Sequence, residues 1–173
     1  MLSAVARGNR RCRAGKFLIR LWSRLESGQA EAVWRDRRAD FRSRVVGPHF
    51  ETICRLFAAS AGADLFDGPV GEVGSGVVND PASRSQIEID VAVLAPPEPG
   101  RPRRVLSLGE VKWGAVMDGG HVGRLARARD LLSSTYDTAG CVLGCYSGAG
   151  FSDDLRSAKD PRVALVTLSD IYP

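Results

Sequence analysis

The sequence lacks any long apolar run. No segment of its 173 residues approaches the ~20 consecutive apolar residues that a membrane-spanning helix needs. The first residues, Met1 to Arg7, also lack the apolar segment of a secretion signal. These two absences argue against a membrane protein and predict a cytoplasmic one. With 44% hydrophobic residues, the chain is long enough to bury one core, so we expect one compact domain with an appendage.

The sequence also has only two histidines and no closely paired cysteines. Neither histidine lies at zinc-finger spacing from the four cysteines, Cys12, Cys54, Cys141 and Cys145, and no CxxC pair occurs. This pattern excludes a zinc module and predicts reduced cysteines, the last two as small core residues on one strand. No Walker-type ATP motif and no Ser–His or Cys–His arrangement for a catalytic triad is present either.

The net charge of +4 hides an asymmetry along the chain. Residues 1–46 hold twelve Lys/Arg against four Asp/Glu, whereas residues 47–173 hold twelve against sixteen. Apolar residues recur at helical spacing from Phe17 to Leu25, and more weakly from Ala30 to Val45. We therefore predict a basic, largely helical N-terminal extension over 1–46, with a loose start. Its charge suits nucleic acid or an acidic protein surface, although a solvated helical surface would look the same.

From residue 47 onward the patterns alternate between helix and strand. Pro48 opens a helix with an apolar stripe, and Asp118 caps another helix that runs to Leu132. Between them, the Gly-rich stretch 62–85 holds only a short strand near Val70 to Val73. The remaining predicted elements are strands at Gln86–Leu94, Arg104–Trp113, Ala139–Tyr146 and Arg162–Leu168, and a helix at Phe151–Ala158. The pattern predicts an α/β fold with a mixed central sheet.

Three charged residues interrupt these apolar strands. Asp90 lies in the first clear strand, and Glu110 and Lys112 lie two residues apart in the next, so both share one face. Two carboxylates on neighbouring strands are the minimal cradle for Mg²⁺ or Mn²⁺, which supplies the charge sink and hydroxide that phosphodiester hydrolysis needs. Lys112 would then orient the attacking water. The alternative is a strand that exposes an ordinary solvated Glu-x-Lys pair.

Three further residues are candidates near this site. Glu51 lies one residue round from the apolar stripe of the first helix, where it either leans over the sheet as a third acid or is an ordinary flanking carboxylate. Arg124 and Arg127 lie three apart on the helix after Lys112 and would contact DNA phosphates from one exposed face. A solvated helix face is the alternative for both arginines.

Three ordered motifs carry a family resemblance: VGPHFETIC at 46–54, QIEIDV at 86–91 and LGEVKW at 108–113. With the segment Tyr146 to Phe151, they resemble the C-terminal domain of unknown function of prokaryotic archaeal-type AAA+ ATPases, a PD-(D/E)XK nuclease superfamily member. The resemblance covers the chain from about Phe17. It implies a restriction-endonuclease-like domain over 47–173.

The same resemblance implies roles for residues and partners. Asp90 and Glu110 correspond to metal ligands, Lys112 to the superfamily lysine, and Glu51 to its frequent helical acid. The family's ATPase and winged-helix portions do not precede this domain here, and the Arg-rich start differs from the family's apolar opening. We therefore expect a detached or truncated C-terminal module, with an AAA+ ATPase as a possible partner.

The combined prediction is a metal-dependent nuclease acting on DNA. The alternative is a non-catalytic DNA-binding or protein-docking module that works with a separate ATPase. A truncated gene product with no independent role is a third interpretation.

Overall fold

The structure is a computed structural model that describes residues 30–173, apart from the side chains of Ala30, Val33 and residues 62–64. The predicted helix from Phe17 to Leu25 and the basic stretch before it lie outside the described residues. The described chain falls into two compact units, residues 30–50 and residues 51–173. The predicted boundary between an extension and a nuclease-like domain at residues 46 and 47 stays a prediction.

The first unit is helical, as the pattern from Ala30 to Val45 predicts. Helix α1 spans Ala30–Phe41, a π-helical segment follows at Arg42–Val46, and helix α2 begins directly at Gly47 and extends to Leu65 in the second unit. Within α1 the rings of Trp34 and Phe41 meet edge to face, with centroids 5.3 Å apart.

The second unit is built around one five-stranded sheet. Its strands are β1 Glu72–Asp80, β2 Ser85–Leu94, β3 Val105–Lys112, β4 Val142–Ser147 and β5 Val163–Val166, and they lie in sequence order. The first three strands pair antiparallel, and β3, β4 and β5 pair parallel. Helices α3 Gly119–Leu132, α4 Asp153–Ser157 and α5 Leu168–Ile171 complete the unit. The predicted α/β class, with a mixed central sheet flanked by helices, is confirmed.

Helix α3 covers one face of the sheet and starts where the sequence predicts. The Asp118 side chain accepts a hydrogen bond from the Gly120 main-chain N–H at 3.0 Å, and the Asp118 N–H donates to His121 Nδ1, which forms a capping box. Leu125 and Leu132 are buried against a core that includes Leu108 of β3. Burial of each leucine contributes about 1.5–3 kcal/mol, which is enough to fix the helix on the sheet.

The opposite face of the sheet is covered around Tyr146. The Tyr146 ring lies over Gly109 of β3 and Gly144 of β4, so closely that a Cβ atom at either glycine would come within 2.7 and 2.8 Å of it. Burial raises the pKa of Tyr146, and the nearby Cys54 thiol of α2 adds to the rise. Strand β3 is therefore covered on both faces, and nearly all of its residues are buried.

Strand β1 is longer than the sequence predicts. The predicted short strand at Val70 to Val73 was wrong in its extent, because β1 continues to Asp80 and pairs with β2 along most of its length. The error has a physical reason. Gly74 and Gly76 remove the alternation of side chains that identifies a strand, but they leave the main-chain groups that form its hydrogen bonds.

Two further predictions from the sequence concern the cysteines and membrane-spanning helices. Cys54, Cys141 and Cys145 are free and buried, which confirms reduced cysteines in the core, whereas Cys12 lies outside the described residues. Between residues 30 and 173, no helix combines the length and apolar character needed to cross a bilayer.

Two glycine substitutions test the packing around Tyr146. Gly109→Ala should lower stability by about 1–3 kcal/mol, because the new methyl group overlaps the buried Tyr146 ring. Gly123→Ala is the matched control in α3, where a Cβ meets open space, and it should raise stability by about 0.5–1 kcal/mol. Thermal unfolding of both variants measures the difference. Similar melting temperatures would contradict the packing described for Tyr146.

Candidate metal and nucleic-acid site

The candidate site lies where β2 and β3 separate. Their antiparallel ladder runs from Leu94 and Val105 to Val91 and Gly109. Asp90 and Glu110 are the next residues on the two strands, just beyond the last pair. Strand β3 stays paired to β4 as far as Lys112 and Ser147, so Glu110 and Lys112 are held by the sheet although β2 has departed. Each strand therefore carries a carboxylate one residue beyond the last pair of the ladder.

A β-bulge in β2 coincides with Asp90. Gly74 of β1 faces Ala92, but Gly76 faces Ile89, so β2 has one residue more than β1 in this interval. The extra residue falls at Asp90 and Val91. Bulges bend a strand locally and redirect its side chains, and they are common next to active sites. This bulge therefore gives Asp90 an orientation that simple alternation does not provide.

The bulge also interrupts the predicted alternation of β2. The sequence predicts one apolar face, with Ile89, Val91 and Val93, and one polar face around Asp90. In the structure Ile89 and Ala92 belong to the same core cluster, although they are three residues apart. Val91 and Val93 are also fully buried, and Val91 faces Gly109 below the Tyr146 ring. The predicted alternation is confirmed from Gln86 to Ile89, where Gln86 and Glu88 are exposed, and it was wrong beyond the bulge, where both faces of the strand are covered.

The Val111 main chain and the Arg55 side chain hold Asp90 in place. Its Oδ2 accepts a hydrogen bond from the Val111 N–H at 2.9 Å, and its carbonyl oxygen accepts one from Arg55 at 2.9 Å. Burial raises the pKa of Asp90, and the Glu110 charge adds to the rise, while the Val111 N–H and Lys112 oppose it. The site thus contains a carboxylate whose ionised form is disfavoured without a cation.

The side chains of Lys112 and Arg124 compensate the negative charge of Glu110. Its side chain is only 9% exposed and lies on the α3 face of the sheet. The Glu110 Oε1 lies 2.8 Å from Lys112 Nζ and 2.6 Å from Arg124 Nη2 of α3. Charge-assisted bonds of this length compensate much of the cost of burying a carboxylate. The structure therefore brings Glu110, Lys112 and Arg124 into direct contact.

Glu51 is linked to Asp90 through the side chain of Arg55. On α2 its carboxylate lies 3.8 Å from Arg55, which in turn donates to the Asp90 carbonyl oxygen. Glu51 is thus connected to the main chain of Asp90 by way of Arg55. Arg55 was not among the predicted site residues. It lies four residues after Glu51, which places both side chains on one face of the helix.

Arg127 has a different environment from Arg124. Its Nε and Nη2 each lie 2.9 Å from an oxygen of Asp80, a buried carboxylate at the end of β1. The Arg127 guanidinium holds the pKa of Asp80 well below its usual range. Asp80 was missed by the sequence analysis because β1 was not predicted to extend so far. DNA contacts by Arg124 and Arg127 stay predictions.

The donor set fits a hard divalent cation. In the described part of the chain, Asp90 Oδ1 and Glu110 Oε2 accept no hydrogen bond from the protein. Magnesium is commonly held by one or two carboxylates together with water or substrate oxygens. No group of three or more His, Cys, Asp or Glu suited to a metal ion occurs among the described residues. A cation here would therefore take two protein carboxylates, Asp90 and Glu110, and complete its shell with water or phosphate.

Comparisons with known proteins add little to this geometry. No family model matches the sequence, and neither does any curated protein. Among solved structures, the chain is similar to the MspJI restriction endonuclease in complex with a 27-mer oligonucleotide, with a TM-score of 0.44 and 17% identity. The match covers 84% of this chain and 31% of that one, so the chain spans about a third of the length of that protein. Unrelated activities share folds at this distance, so function has to be judged from the site.

Two variants should change metal-free stability in opposite directions. Asp90→Asn should raise the melting temperature in EDTA at neutral pH, because the amide still accepts from Val111 but carries no buried charge. Since the pKa of Asp90 is raised, wild type regains stability as the pH falls through that pKa, and the difference between the two melting temperatures should narrow. Glu110→Gln should instead cost about 1–2 kcal/mol, because Lys112 and Arg124 lose their shared counter-charge but remain partly solvated. Melting temperatures that move in the same direction would contradict these environments.

Proposed function

We propose that the chain is a divalent-metal-dependent nuclease that hydrolyses phosphodiester bonds in DNA. The observation that carries the proposal is the pair of carboxylates just beyond the end of the β2–β3 ladder, with Lys112 Nζ 2.8 Å from Glu110. Buried ionic groups cost free energy in a sheet that is otherwise apolar, and clusters with a perturbed pKa are typical of functional sites. This combination favours a catalytic site over an exposed polar strand.

Each residue has a defined part in this proposal. Asp90 and Glu110 would hold Mg²⁺ or Mn²⁺, which polarises a phosphate and lowers the pKa of a bound water. The Val111 N–H fixes the Asp90 carboxylate, so the ligand is positioned before the cation arrives. Lys112 is 39% exposed, and its ammonium group can reach both Glu110 and an incoming phosphate or water. Glu51 would act indirectly, through Arg55 and the main chain of Asp90.

The finer family assignment is also a proposal. The three sequence motifs support a relationship to the C-terminal module of AAA+ ATPases, and with it an ATPase as partner. That assignment rests on the motifs at 46–54, 86–91 and 108–113 alone, because no family model matches. A cytoplasmic location is likewise proposed from the sequence.

A second candidate function is a non-catalytic DNA-binding or protein-docking module. The observation that favours it is the double cation contact on Glu110 Oε1, which compensates the carboxylate without any metal. In that case the acidic cluster would be a structural remnant, and the module would serve a separate ATPase.

A cleavage assay separates these functions. Purified full-length protein is incubated with plasmid and linear DNA in Mg²⁺ or Mn²⁺ and in EDTA. We expect metal-dependent cleavage that Asp90→Asn abolishes and that Lys112→Ala slows by about 10²–10³-fold, as loss of one transition-state contact does. Glu98→Gln, an exposed carboxylate in the loop before β3, is the matched control and should cleave like wild type.

Two outcomes would decide against the nuclease. Equal cleavage by wild type and Asp90→Asn would identify a contaminating enzyme as its source. Wild type that binds DNA but leaves it intact in every cation would favour the non-catalytic module.

A further inference from the structure

The Arg124 guanidinium donates to Oε1 of Glu110, one of the two carboxylates of the proposed metal site. We propose that Arg124 is a positioning residue that competes with the divalent cation for Glu110 and contacts a DNA phosphate once the cation displaces it. This inference rests on the proposed function and deepens it, because it couples metal binding to DNA binding through one side chain.

The first step is the crowding at Glu110 Oε1. Arg124 Nη2 donates a hydrogen bond to this oxygen at 2.6 Å, and Lys112 Nζ lies 2.8 Å from it as an ion pair. A cation that uses Oε1 must therefore displace one of them. A cation that uses Oε2 instead would lie on the same carboxylate as the guanidinium, and the two positive charges would repel each other. Either way, cation binding weakens the contact between Arg124 and Glu110.

The second step is that Arg124 can leave more easily than Lys112. Lys112 follows Glu110 by two residues on the same strand, so the sheet keeps the two side chains adjacent. Arg124 extends from α3 and is 54% exposed, so moving it uncovers little apolar surface. Its Nε and Nη1 donate to no protein group in the part of the chain that the structure describes.

The third step is that Arg124 is suited to phosphate and Arg127 is not. Guanidinium groups bind phosphate oxygens through two parallel N–H donors. Arg124 has such a pair once its Nη2 leaves Glu110, whereas Arg127, about one turn further along α3, has its Nε and Nη2 bound to the buried Asp80 carboxylate. Of the two arginines predicted to contact DNA, Arg124 is therefore the one that can change partner.

A shared side chain makes the two binding events reciprocal. A cation that displaces Arg124 makes it available to phosphate, and a phosphate that attracts Arg124 makes Glu110 available to the cation. By thermodynamic linkage, each ligand then raises the affinity for the other by the same factor. The contribution of Arg124 to DNA binding should appear only when the cation is present.

Binding measurements on the full-length chain test this coupling. Without DNA, Arg124→Gln should bind Mg²⁺ about three- to tenfold more tightly than wild type in a calorimetric titration, because one competitor for Glu110 is gone. Arg129→Gln removes an equal charge from the same helix, where Arg129 pairs with Asp130, and should leave Mg²⁺ affinity unchanged.

Affinity for a short DNA duplex, read by fluorescence anisotropy, gives the second readout. Arg124→Gln should match wild type in EDTA and bind about three- to tenfold more weakly in Ca²⁺. In a Glu110→Gln background, where Arg124 has no carboxylate partner, the same substitution should cost affinity even in EDTA.

The inference is overturned if Arg124→Gln binds Mg²⁺ no more tightly, or if it loses the same DNA affinity with and without the cation. A purely structural role would lower the melting temperature and weaken both ligands together. Wild type that binds Mg²⁺ and cleaves DNA, with Arg124→Gln unchanged in both titrations, would refute the coupling but leave the nuclease proposal standing. Wild type that binds no cation would refute both.

Discussion

The hydrogen-bond ladder between β2 and β3 ends at Val91 and Gly109, and the next residue on each strand carries a carboxylate. The neighbouring strands β1 and β4 fix where this ladder ends. The bulge opposite β1 bends β2 at Asp90, while the parallel pairing with β4 keeps β3 in the sheet as far as Lys112. Asp90 therefore contacts β3 through its side chain, which accepts a hydrogen bond from the Val111 N–H, and not through the ladder.

Asp90 and Glu110 differ in how the protein compensates their negative charges. Asp90 is held by the Val111 N–H and the Arg55 side chain, and burial raises its pKa, so an added positive charge would favour its ionised form. Glu110 already has Lys112 and Arg124 as counter-charges before any ligand arrives. The site thus combines one carboxylate that gains from a cation with one that has to exchange a partner for it. This asymmetry is the physical basis for coupling metal binding to a movable arginine.

Sequence patterns predicted the elements that depend on local rules. Alternation located β2 and β3, the Asp118 cap located the start of α3, and the two-residue spacing put Glu110 and Lys112 on one face. The rest depended on contacts between distant residues. The bulge at Asp90 arises from pairing with β1, whose glycines hide it, and the Arg127–Asp80 pair spans 47 residues. The sequence also predicted that Arg124 faces phosphate but could not predict its bond to Glu110.

In the proposed metal site, Asp90 and Glu110 hold one divalent cation together. Anomalous diffraction from crystals grown with Mn²⁺ tests this arrangement directly, because the position of the ion is observed independently of any activity. We expect one Mn²⁺ bonded to both carboxylates, with Arg124 displaced from Glu110 Oε1 and Lys112 still beside Glu110. The absence of Mn²⁺ from this position at saturating concentration, with Arg124 and Lys112 both still bound to Glu110, would contradict it.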